Sequence, residues 1–171
     1  MKKALIICFL LILGICFTAC GHILELDTPE KVAEIYYANE DYFNTAAEVI
    51  LKYDGKEPRI AIYPIEEAWE SDAYIGKEIN GLYIEGSSLL TDLDYQILYD
   101  AFAPLMERCH FSGVAMHSSR VEFVLEGPTY GMAAELYCFL DAEFAADYTS
   151  QTDENNSIII NPYWYAEIWH D

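Results

Sequence analysis

Side chains able to do chemistry are plentiful in this chain: four histidines, five cysteines and 29 carboxylates. Their spacing matches few reaction types. The sequence holds no Gly-x-Ser-x-Gly elbow for a serine nucleophile, no Ser-x-x-Lys, no His-Glu-x-x-His zinc helix, no Gly-Lys-Ser/Thr phosphate cradle and no Cys-x-x-Cys pair. His22 precedes the globular part and His170 is one residue from the end, while His110 and His117 flank the start of a strand. Two histidines without a third ligand do not make a zinc site. Asp92 and Asp94 fall in the first turn of a helix, where the helix dipole favours negative charge. Asp147, Asp153, Glu154, Asn155 and Asn156 form an oxygen-rich stretch, but the twelve-residue calcium pattern with its central glycine is absent. The expectation is a chain with no catalytic residue, no cofactor and no resident metal.

Cys109 and Cys138 are the two thiols left once the N-terminal leader is set aside. Outside the cytoplasm they could close a disulfide. At a helix end and inside a strand they suit equally well the role of small buried hydrophobes. No arrangement of His and Asn marks either as a nucleophile. The residues best suited to contact a partner lie in Tyr163-Trp164-Tyr165-Ala166-Glu167-Ile168-Trp169. On a strand, Trp164, Ala166 and Ile168 face one way and Tyr163, Tyr165, Glu167 and Trp169 the other. If the first set meets helices, Tyr163, Tyr165 and Trp169 present a recognition surface for protein, peptide or sugar.

The location comes from residues 1–20. Lys2 and Lys3 open the chain, Ala4 to Phe17 is an unbroken run of apolar or small residues, and Phe17-Thr18-Ala19-Cys20 closes it. That order is a secretory signal. As a helix the run reaches about 21 Å, short of the roughly 30 Å of bilayer hydrocarbon. The last four residues resemble the lipobox of bacterial lipoproteins, with Phe17 where that class more often has Leu. The resemblance covers the leader alone and implies that Cys20 is lipidated and becomes the mature N-terminus. It also implies that the rest of the chain sits on the outer face of the cell membrane, or at the outer membrane where the host has two. Two acyl chains suffice for stable anchoring. The alternatives are an uncleaved anchor from Ala4 to Leu24 and ordinary secretion.

Charge narrows the partners. All 29 acidic residues follow Cys20 while Lys2 and Lys3 precede it, so the mature chain has seven basic residues and a net charge of −22. A field of that sign excludes nucleic acid, disfavours anionic lipid headgroups and wall polymers, and attracts cations and basic proteins or peptides. With 15% aromatic and 53% hydrophobic residues, the chain is no disordered acidic tail.

The elements that must hold these groups follow the periodicity. Residues 20–28 form a short tether and 29–171 a single domain. Thr28-Pro29 starts a helix that runs to Asp54-Gly55, with Val32, Tyr36, Phe43, Ala47 and Ile50 on one face. Arg59 to Tyr63 reads as a strand ended by Pro64, and 65–74 as an acidic loop or helical turn. Asn80-Gly81 joins Tyr74–Ile79 to Leu82–Gly86 in a hairpin. A second helix spans Thr91 to Cys109, its apolar positions Leu93, Ile97, Ala101 and Leu105 beside Leu90, Leu98, Phe102 and Met106, with a kink or restart at Pro104. An antiparallel meander follows, broken by a polar loop from Asp147 to Asn156. The fold class is α+β, with two main helices packed on one face of a mostly antiparallel sheet. The function expected is a lipid-anchored, non-catalytic binding or structural module. The alternatives are an acidic inhibitor or immunity-type module masking a basic protein, and a carboxylate-dependent envelope hydrolase.

Overall fold

Thr28 caps the first helix of the structure, a computed structural model that describes residues 26–53, 60–65, 75–86, 90–109, 111–125, 132–153 and 155–170. The leader, Cys20, His110 and the acidic 66–74 stretch lie outside the described residues. The Thr28 hydroxyl accepts from the Lys31 N–H at 3.5 Å, and Pro29 opens α1 (Pro29–Ala38), where its missing N–H costs nothing. The single helix expected through residue 53 divides at Asn39 (φ −134°), and α2 (Glu40–Leu51) follows. The Asn39 amide donates to the Ile35 carbonyl at 3.0 Å, the kind of local bond by which asparagine competes with a continuing helix. The expected apolar face survives the break, since Val32, Tyr36, Phe43, Ala47 and Ile50 are all buried.

The strand β1 (Ala61–Pro64) precedes the hairpin of β2 (Ile75–Ile79) and β3 (Leu82–Gly86). Asn80 and Gly81 take positive φ, 45° and 89°, as the tight turn between Ile79 and Leu82 requires. The helix α3 (Asp92–Arg108) begins with a capping box in which Thr91 and Asp94 exchange bonds, and it runs through Pro104 without restarting. Most of its expected apolar positions are buried or packed against the core, and the exceptions lie in its first turns. Tyr95, Leu98, Ala101, Phe102 and Leu105 point inward, while Leu93 and Ile97 are 68% and 40% exposed. The Tyr53 hydroxyl donates to Asp94 at 2.8 Å, and the Arg108 guanidinium lies 4.4 Å from the Tyr42 ring centre. These two contacts tie α2 and α3 antiparallel, end to start.

The remaining strands are β4 (Phe111–His117), β5 (Arg120–Leu125), β6 (Met132–Phe139), β7 (Ser157–Ile159) and β8 (Trp164–His170), with α4 (Ala142–Thr149) between β6 and β7. All ladders are antiparallel in one eight-stranded sheet of order β2-β3-β1-β4-β5-β6-β8-β7. The molecule is α+β. Its helix layer holds α1, α2 and α3 rather than two helices, and α4 lies on the opposite face. Asp141 caps α4 by accepting from the Glu143 N–H at 2.7 Å, and the first three residues of the expected polar loop, 147–149, are its last turn.

Between sheet and helices Phe123 is a hub, its ring 5.2 Å from Phe43, 6.1 Å from Phe102 and 5.6 Å from Trp164. Trp164, Ala166 and Ile168 join this core, so the helices cover the expected side of β8. Cys109 and Cys138 are free buried thiols, not a disulfide. Cys109 leads into the Phe111–Leu125–Ala134 row, and Cys138 stands four residues further along β6. That is about 13 Å of strand, beyond what a disulfide spans. Burial pushes the two thiols up to about 11 and about 12, which leaves them unreactive at neutral pH.

Candidate functional site

The sheet face away from α1–α3 carries the polar chemistry. Period-two alternation sends Glu122 of β5, Glu135 of β6 and Tyr165, Glu167 and Trp169 of β8 to that side, because their neighbours Val121, Phe123, Leu136, Trp164, Ala166 and Ile168 fill the core. Pairing then sets the carboxylates side by side. Glu135 is the register partner of Glu167, and Glu122 that of Tyr137. Directly opposed residues bring their Cβ atoms to about 5 Å, so Glu135 and Glu167 are neighbours.

Each carboxylate has a different environment. Glu135 accepts hydrogen bonds from the Tyr137 hydroxyl and from Nε1 of Trp169. Glu122 lies 3.4 Å from Nε2 of His117 and 4.0 Å from the Arg120 guanidinium. Burial, with the charge of Glu135 as a second cause and Arg120 opposing, holds the Glu122 carboxyl above its usual range. Glu167 is 5% exposed, and its Oε2 has no hydrogen-bond partner. Burial and the neighbouring Glu135 charge, again partly offset by Arg120, push it up to about 7. The Arg120 guanidinium lies 5.5 Å and 5.0 Å from the ring centres of Tyr137 and Tyr148 and acts on both Glu122 and Glu167.

The three expected contact residues do not share a surface. Trp169 is 49% exposed beside the trio. Tyr165 is 2% exposed, packed with Tyr137, Phe139 and Tyr148 beneath α4. Tyr163 is exposed but precedes β8, about 20 Å from Trp169 along the strand. Sequence reasoning missed Glu122 and Glu135 because pairing register, not composition, assembles them.

Tyr163 belongs instead to a cavity of about 280 Å³ bounded by α1, α2, the end of β6 and the turn before β8. Tyr36, Asn44, Asn161 and Trp164 form its polar wall. Nε1 of Trp164 donates to Oδ1 of Asn44 at 2.9 Å, and the Asn161 amide donates to the Tyr36 hydroxyl at 3.4 Å. Burial, with the nearby Glu40 charge, pushes that phenol up to about 12. Among the described residues, no group of three or more His, Cys, Asp or Glu is placed to hold a metal ion, and no helix is long and apolar enough to cross a membrane.

No protein-family model matches the chain, and no curated protein or solved structure is significantly similar to it.

Proposed function

We propose that this chain is a membrane-tethered extracytoplasmic binding module that takes a cationic segment of a partner protein on the open face of its sheet. The observation that carries the reading is the unpaired oxygen of Glu167, buried beside Glu135, with Glu122 on the far side of Glu135 and the Arg120 guanidinium nearby. A buried carboxylate without a partner is costly, and a lysine or arginine brought to it relieves that cost. Exposed Trp169 supplies an aromatic surface at the rim of the same site, the composition of an interface anchor. The leader adds the location, with Cys20 as the lipidated residue.

Masking of a basic toxin or enzyme is the tight-binding form of this function and uses the same face. A carboxylate hydrolase has weaker support, since the cavity does not contain the Glu135–Glu167 pair. Its own carboxylates, Glu40 and Glu48, stand eight residues apart on α2, about 12 Å along the axis.

Crosslinking and affinity recovery from intact cells, at low and high salt, test the proposal. The wild-type chain is expected to retain a basic protein at low salt and lose it at high salt, and Glu122→Gln/Glu135→Gln to lose it at both. Equal recovery by wild type and variant would refute the assignment of the face.

A further inference from the structure

The cavity beside α2 points to a second ligand, independent of the open face. We propose that it binds a linear aliphatic diammonium ion, one charged end at Glu40, the other at Glu48, and the methylene chain along Phe139 and Tyr163. Its volume of about 280 Å³ lies just under the roughly 300 Å³ at which small-molecule sites begin, which sets the ligand as small. The lining contains two carboxylates and no lysine, arginine or histidine.

The other acceptors are already used. Oδ1 of Asn44 takes the Trp164 indole N–H, and Oδ1 of Asn161 takes the N–H groups of Tyr163 and Trp164 at 2.9 and 3.0 Å. Among the described residues, Glu48 makes no hydrogen bond or ion pair and Glu40 meets only the Tyr36 hydroxyl, at 3.4 Å. The Glu48 charge also helps hold the cavity-lining Cys138 thiol up, after burial, so that carboxylate faces the floor of the pocket. Two carboxylates separated by about 12 Å of helix do not suit one ammonium group. They suit one at each end of a chain, with an aromatic wall between them to carry the methylenes.

The test uses full-length protein, isotopically labelled, in nonionic detergent at about 0.15 M salt, where diffuse attraction between exposed charges is screened beyond about 8 Å. Putrescine and cadaverine are titrated against n-butylammonium and butane-1,4-diol, and the shifted amide resonances are mapped. The diamines are expected to bind about tenfold tighter than n-butylammonium, as one added charge-assisted hydrogen bond predicts. Shifts should fall on α2 and residues 161–164, and butane-1,4-diol should not bind. Glu40→Gln and Glu48→Gln should each abolish the preference for two charges, while Glu135→Gln, on the other face, should leave it intact. Both carboxylates are exposed, so their amides should leave the fold unchanged, which the spectra themselves report. No binding, equal binding of n-butylammonium, or shifts confined to the open face would overturn the proposal.

Discussion

Glu167 is where burial, charge and function meet in a single side chain. Its folded pKa of about 7 lies above the ordinary 4.5, so the folded chain keeps a proton that the unfolded chain releases. The stability this contributes is present below about pH 4.5 and is lost as pH rises through 7. Glu167→Gln is therefore expected to stabilise the protein by about 1 kcal/mol at pH 8, after allowance for screening, and to change little at pH 5. Urea unfolding at both values measures this, and an equal effect at the two would contradict it. Glu135 and Arg120 from the strands across the face, Tyr148 from α4 and Tyr165 of the same strand surround Glu167, and Glu135→Gln should weaken the same pH dependence. Strand alternation alone placed Glu167 with Tyr165 and Trp169. That Glu135 stands opposite it needed the register of two strands about thirty residues apart, which no local pattern encodes.

Among the elements, those with strong local punctuation were legible and those decided by tertiary contacts were not. Asn80-Gly81 set its hairpin to within a residue, and Thr91 set the start of α3. The core face of α3 was legible at Leu98, Ala101, Phe102 and Leu105 but not in its first turns, where Leu93 and Ile97 look apolar yet point to solvent and Tyr95 takes the core position. The hidden element was α4, whose signal was Asp141 ahead of Ala142-Glu143, a cap and an acid in the first turn. Its concealment had a consequence, since α4 is what buries Tyr165. Asp141→Ala is expected to cost about 1 kcal/mol and to raise hydrogen exchange in α4 and at Tyr165 before the rest of the sheet. Uniform loss of protection throughout the molecule would contradict the placement of α4 as a separately capped flap.

At the scale of the whole molecule, a net charge of −20 rests on a sheet whose helix-covered side is apolar, so its chemistry falls to the open face and the cavity rim. The edge strands are short, three residues in β7 and five in β2, where Lys77 pairs with Asp92 at 2.8 Å. Both features discourage edge-to-edge association, consistent with a module that meets its partner by a face. Cys20→Ser is expected to move the protein from the membrane to the soluble extracytoplasmic fraction or leave its precursor uncut, by fractionation and mass spectrometry. Unchanged membrane retention with correct processing would refute lipid anchoring at that residue. The central claim is that Glu122, Glu135 and Glu167 form a cation-accepting face, and the direct measurement is calorimetric titration of the full-length protein with a short lysine- and arginine-rich peptide at low and high salt. Glu122→Gln/Glu135→Gln is expected to weaken binding about tenfold at low salt and to flatten its salt dependence. Equal affinity for wild type and variant, or binding indifferent to salt, would contradict it.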